Sequence, residues 1–416
     1  MKFEFGMNRE KDNYMKYCLS KTFEQIARVF SIGTVIQTFM LEYGIGESQT
    51  ALYASLVQIA NAVMIFCMIF LAGKIQKEKL AITIVLLASA LAPITLLFFA
   101  LFTNIAVSTA FVVIAIVSLL INLALGLQTV LFYTFPYKVI DMKDFGKFCG
   151  IIGTVSYPAC LFSIFLMTFF TARFPYFSVM AIFFVIAIIA WGLSAFFLSK
   201  LEENNEISAV IDNAQSSDNK KFNIFKYKPV YFMFLPNLLR GFAVGVIGQM
   251  IVFGYHDNIL NGDTANWVSF LYYAGIMSSN LLYLLFFKNR NTAFYLLLLS
   301  GIASVLMPFV VVSGNVYVFL IVYYVMYAIL GVFDTMLPVM LTKMIPYEGI
   351  GAFTSIRMFL MSVGTAIPGL IFDWLYGIFN TVEILILGGV NLFLCALIYA
   401  LVMWYLQYKK NKGAGK

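Results

Sequence analysis

Arginines and acids set inside apolar runs are the residues of this chain most able to do chemistry. Arg28 opens the stretch RVFSIGTVIQ, residues 28–37, and Arg240 opens RGFAVGVIGQ, residues 240–249. Both read R-x-F-x-x-G-x-x-x-Q. A planar guanidinium binds a carboxylate or a phosphate through two parallel hydrogen bonds. Two arginines in matching places therefore predict either a shared structural pairing or an anionic ligand. Arg357, Glu24 and Asp334 share the apolar setting. Glu24 and Arg28 are four residues apart, on one helical face, and can pair directly. Asp334 precedes Lys343 by nine residues and Arg357 follows Glu348 by nine. That equal spacing from one turn predicts an Asp334–Arg357 ion pair, a clasp between helices or a gate.

Arg240 has no charged neighbour one turn back, where Pro236 and Asn237 stand. Three arginines against two acids leave one positive charge over. A buried cation needs water, a shared carboxylate or an anionic ligand. The functional expectation is that Arg240, with Arg28, binds the acidic group of a solute. The structural alternative is that Arg240 shares an acid or reaches a watery vestibule. Glu24 and Asp334 are the candidates for proton coupling or gating, together with Arg357.

Softer candidates surround these. On a straight helix Phe30, Gly33 and Gln37 share one face, as do Phe242, Gly245 and Gln249, and each arginine lies about 160° away. Either the glutamine stripe lines a path or the arginine face does. Asn122, Gln128 and Tyr327 are further polar positions in apolar runs. Their bland reading is interhelical glue or interfacial anchoring. His256, the one histidine, sits beside Asp257 and reads as a loop residue.

The elements that must position these groups are membrane helices. The chain is 62% hydrophobic and 11% charged over 416 residues, against about 25% charged in soluble proteins. Apolar runs of 18 residues or more recur throughout, which predicts an all-α membrane protein embedded in a lipid bilayer. Twelve spans are expected, at 19–42, 49–73, 80–102, 105–134, 148–171, 176–199, 229–254, 265–287, 293–313, 316–342, 350–372 and 382–406. Of the 27 Lys and Arg, three arginines fall well inside these spans, Arg173 alone lies on one side, and Lys21, near the start of the first span, is counted with the other side. The rest crowd the other side, which puts both termini in the cytoplasm. The net charge of +7 is thereby a topology signal and gives no reason to expect nucleic acid. The five cysteines show no metal or disulfide spacing. No cofactor and no metal site is expected.

Residues 200–228 form a polar, charged linker between residues 1–199 and 229–416. The two flanking parts resemble each other. Besides the arginine pattern, T-A-x-x-x-S-x-x-x-x-A recurs from Thr50 to Ala60 and from Thr264 to Ala274. Leu125, Gly126, Lys138, Ile140, Gly146 and Phe148 are matched by Leu330, Gly331, Lys343, Ile345, Gly351 and Phe353. Three matches in one order predict a duplicated six-helix unit. This architecture resembles the major facilitator superfamily. That family's loop motif after the second span survives only in degraded form as IFLAGKIQKEK, residues 69–79, with Leu71, Lys74 and Lys77 in place, Gly73 at the aspartate position and Ile69 and Gln76 at the two glycine positions. The resemblance implies two six-helix bundles rocking about a central site. It also implies that helices one, four, seven and ten line the cavity, and so points to Asn122, Gln128, Tyr327 and Asp334.

The functional expectation is a secondary active transporter at the cell membrane. It moves a small solute, an organic anion by the surplus arginine, by alternating access, with protons a candidate coupling ion and the monomer the expected state. Efflux of lipophilic or cationic compounds is the alternative, on 17% aromatic residues. A non-transporting receptor or scaffold is the reading from another class, and it requires every intramembrane charge to be paired. No nucleotide-binding sequence G-x-x-x-x-G-K-[ST] occurs, and an enzyme is not expected.

Overall fold

Lipid offers backbone amides no partner, so apolar runs long enough to cross it close their own hydrogen bonds as helices. The computed structural model describes residues 2–71, 75, 77–131, 135, 139, 145–203, 231–232, 234–287, 292–342 and 347–414. Within those ranges the side chain of Asp334 lies outside the described residues, and with it the expected pair to Arg357. No strand occurs among the described residues.

The first helices are α1 (Lys2–Ser31), α2 (Thr34–Glu42), α3 (Glu47–Leu71), α4 (Glu78–Ser89), α5 (Leu91–Leu101), α6 (Val107–Leu131), α7 (Phe145–Thr171) and α8 (Tyr176–Ser199). There follow α9 (Phe234–Gly248), α10 (Met250–His256), α11 (Gly262–Leu282), a π-helical turn (Tyr283–Phe287), α12 (Thr292–Val312), α13 (Val316–Thr342), α14 (Tyr347–Leu370), α15 (Phe372–Ile378) and α16 (Thr381–Ala414). Among the described residues seven helices are long and apolar enough to cross a membrane. Two bent pairs, α9 with α10 at 43° and α14 with α15 at 58°, raise this to nine if each is one span. The remaining expected spans also fall on helix: 19–42 on α1 and α2, 148–171 on α7, and 265–287 on α11 and its π turn.

The chain divides into two compact units, Met1–Phe39 with Val63–Lys221 and Met40–Ala62 with Phe222–Lys416. In the first, α1 packs on α7 and α8, while α4 and α5 pack on α6 and α8. In the second, α9 packs on α14 and α16, while α12 packs on α13 and α16. These pairings run in parallel in the two units, while α11 packs closely on α13 in the second without a comparable α3–α6 pairing in the first among the described residues. Each unit keeps its large aromatics inside: Phe30, Phe184 and Trp191 in one, Phe253, Phe319 and Tyr399 in the other, all below 2% exposed. Leu120, Phe162 and Ile182 are more than 60% exposed. Side chains of this kind so far out of the core need lipid, not water, against them.

The first span is not one straight helix. It breaks between Ser31 and Thr34, where Gly33 takes φ +83°. Glycine has no Cβ to oppose that conformation. Trp191 on α8 braces the break by donating its indole N–H to Ser31 Oγ at 3.1 Å.

Candidate functional site

In the first unit the expected Glu24–Arg28 pair is present. Arg28 donates from Nε to Glu24 Oε1 at 2.9 Å, and its Nη2 is ion-paired to the same oxygen at 2.9 Å. The other oxygen, Oε2, accepts from Lys21 Nζ at 2.7 Å. Sequence placed Lys21 among the topology-setting residues at the membrane face; in the structure it is buried at 7% exposure beside Glu24 at 2%. Lys21 stands three residues before Glu24, the spacing that puts side chains on one face, and that is the signal that could have found it.

Gln128, on α6, completes the group. Its Oε1 accepts from Arg28 Nη2 at 3.2 Å. This bond decides how the amide is turned, since the reverse orientation would set an NH₂ against a guanidinium N–H. Among the described residues, the Nε2 of Gln128 is consequently left buried with no partner. Arg28 keeps both N–H groups of Nη1 unbonded among the described residues. Arg28 is also the exposed member of the charged group, its side chain 28% accessible against 9% for Lys21 and 3% for Glu24. What the cluster still offers is therefore hydrogen-bond donors, with a cation at its accessible edge.

The other polar candidates of this unit are not part of that group. Asn122 donates to Ser118 O of its own helix at 2.8 Å. Gln37 is buried on α2, beyond the break at Gly33. The straight-helix spacing that set Gln37 on the face of Phe30 does not hold across that break.

In the second unit Arg240 is enclosed, at 4% exposure. Its guanidinium lies over the Phe333 ring, 5.4 Å from the centroid, and Nη1 donates to Met361 Sδ at 3.4 Å; these are among its contacts. Aromatic faces and thioethers accommodate a weakly hydrated guanidinium in this way. One turn away Asn237 Oδ1 accepts from Tyr399 O–H at 2.6 Å. Arg357 is half-buried on α14. Tyr327 stands in a tyrosine cluster, its ring 4.7 Å from Tyr323 and 4.8 Å from Tyr272. Gln249 sits in the break between α9 and α10 and donates to Ala51 O at 3.4 Å.

The two copies of the arginine motif thus use their glycines differently. Gly33 makes the break in the first span. Gly245 lies in ordinary helix, where a Cβ would meet the Thr365 carbonyl and the Pro368 ring. Gly241 faces Gly364 of α14 just as closely, each Cα 2.9 Å from where the other's Cβ would stand. Gly241 and Gly245 form a G-x-x-x-G pair, a signal of close helix approach in membranes that was readable within RGFAVG.

No family profile matches the chain, and no curated protein matches it. Solved structures do. The xylose transporter XylE from E. coli superposes with a TM-score of 0.68 at 12% identity, over 92% of this chain and 94% of its own. The POT family transporter PepTSo gives 0.72 at 10% identity, over 95% and 98%. The nucleoside transporter NupG gives 0.63 at 15% identity, over 95% and 99%. This chain shares the fold of these transporters. Matches of nearly full length on both sides, at identities this low, establish the architecture and leave the cargo to the residues.

Proposed function

We propose that this protein is a secondary active transporter that carries a small organic anion across the cell membrane by alternating access, with Arg28 and Gln128 holding the acidic group. The reading takes the twelve expected spans as two six-helix bundles, residues 1–199 and 229–416, with cytoplasmic termini and a monomeric carrier. The observation that carries it is the donor-only character of the Arg28–Gln128 group: Nη1 and Nε2 lack acceptors, and the guanidinium is the accessible charge. An anion supplies acceptors to both, and a cation supplies none. Efflux of cationic compounds has no such support.

Glu24 supports a coupling role in the same site. Its Oε1 holds Arg28 through the Nε–H bond and the Nη2 ion pair. A proton on that carboxyl weakens both and frees the guanidinium for cargo, so proton and anion bind with positive coupling. Two of the matched structures are of proton symporters for D-xylose and fucose, which supports protons as the coupling ion here.

The test is a thermal-shift screen of the purified protein with carboxylates, phosphate esters, sugars, amino acids and lipophilic cations, since a ligand raises apparent stability. Organic anions raise the midpoint of the wild type. Arg28→Gln lowers anion affinity about tenfold or more, the weight of a charge-assisted bond, while remaining folded. Stabilisation by sugars or cations with none by anions refutes the proposal.

A further inference from the structure

Away from the arginine site, the second unit carries a polar cluster that ties residues 42–48 to α10 and α15. His256, the last residue of α10, places Nδ1 2.7 Å from Glu47 Oε2. Tyr255 donates its hydroxyl to Glu42 Oε1 at 2.9 Å. Ser48 donates to Asp373 Oδ2 at 2.8 Å. Behind them Thr381 donates to Asp257 Oδ1 at 2.9 Å, so that Tyr376 O–H donates to Thr381 Oγ1 at 3.1 Å. The His256 ring packs on Tyr376, centroids 4.3 Å apart. Gly262 leaves room for the Glu42 carboxylate, since a Cβ there would come within 2.6 Å of it.

The groups facing or adjoining this imidazole are thus Glu47 from the start of α3, Asp257 from its own turn and Tyr376 from α15. Glu42 and Asp373 complete the cluster. Of these carboxylates, Glu47 is the one in contact with the imidazole, while Asp257, Glu42 and Asp373 hold Thr381, Tyr255 and Ser48. A carboxylate only accepts, so Nδ1 carries a hydrogen whether the ring is neutral or charged. The bond exists in both states, and a second proton turns it into a charge-assisted one. The same proton adds attraction to the Tyr376 face. Histidine is the side chain whose charge changes between pH 5 and 8.

We propose that this cluster is a proton-operated latch at the outer end of the carrier: a proton on His256 tightens the hold on residues 42–48, and its loss loosens it. The proposal rests on the reading of the chain as an alternating-access transporter with cytoplasmic termini, which makes the α10 end the outer one. That reading puts residues 42–48 in the first six-helix bundle and α10 and α15 in the second, so an acidic exterior favours a closed outer mouth, and the carrier's outer opening slows as external pH falls.

The experiment is hydrogen exchange of the full-length protein in detergent, followed on peptides covering residues 42–50 and 372–380 and corrected for intrinsic pH dependence. In the wild type, protection at pH 5.5 exceeds that at pH 7.5 by about two- to fivefold, the measure of an exposed ion pair. That window stays above about pH 4, where carboxylates ordinarily titrate. His256→Gln and Glu47→Gln abolish the ratio. Ser48→Ala lowers protection at both pH values and leaves the ratio in place. A wild-type ratio of one, or an unchanged ratio in His256→Gln with an unchanged thermal midpoint, overturns the latch. Exchange needs no cargo, so the two readings fail separately. Anion binding with a flat ratio removes the latch alone, and a pH-dependent ratio without anion binding removes the cargo assignment alone.

Discussion

Glu24→Gln tests the electrostatics of the first unit. The substitution keeps the side chain's shape and one oxygen acceptor but removes the charge that both Lys21 and Arg28 address. The two cations do not suffer equally. Arg28 is 28% accessible and keeps its bond to Gln128, so water and the amide compensate much of its loss. Lys21 is nearly buried, and it loses a carboxylate at 2.7 Å. Removing one partner of a buried pair costs about 3–5 kcal/mol. With the exposed share discounted, the expected loss is about 3 kcal/mol. Lys21→Met removes the buried charge that has lost its carboxylate and keeps an apolar stem of similar length, so the double variant recovers part of that loss. Thermal denaturation of the wild type, both single variants and the double variant completes the cycle. The reasoning fails if Glu24→Gln unfolds at the wild-type midpoint, or if adding Lys21→Met restores nothing.

Other substitutions separate backbone from packing. Gly33→Ala meets open space but must hold φ +83°, at about 1–2 kcal/mol; Gly33→Asn costs less than Gly33→Val, because asparagine tolerates the left-handed region, and thermal midpoints give the order. Gly241→Ala has no such backbone problem, yet its Cβ runs into the Met361 carbonyl and the Gly364 Cα. Backbone atoms cannot rotate away, so about 1–3 kcal/mol is expected, with no relief from trimming the Met361 side chain; a midpoint equal to wild type contradicts the close approach of α9 and α14. Trp191→Phe keeps the ring but leaves Ser31 Oγ without its donor, for about 1 kcal/mol and faster amide exchange in residues 30–36. Gln128→Leu removes both the buried Nε2 donor and the acceptor of the Arg28 bond: it weakens anion binding in the thermal-shift screen while changing the apo midpoint little, because the two losses oppose each other.

Sequence by itself determined the membrane class, the positions of the helices and the Glu24–Arg28 pair. Each is local. Hydropathy over about 20 residues decides whether a segment prefers lipid, and within lipid the backbone must close its own hydrogen bonds. Residues four apart on a helix meet whatever the rest of the chain does. Some of the packing runs in parallel, α1 with α7 and α8, α9 with α14 and α16, but the compact units place Met40–Ala62 with the second half of the chain, which the sequence repeat did not indicate.

Tertiary structure decided the rest. Gln128 lies 100 residues from Arg28, and only the packing of α6 turns its amide toward the guanidinium. Arg240 reads in sequence as a cation without company; its surroundings of Phe333 and Met361 come from two other helices. His256 looked like a loop residue because its carboxylate, Glu47, is 209 positions away. The identical arginine motifs diverged for the same reason. One glycine bends its own helix and the other admits a neighbour, and which of these happens depends on what stands opposite, a fact no local spacing contains.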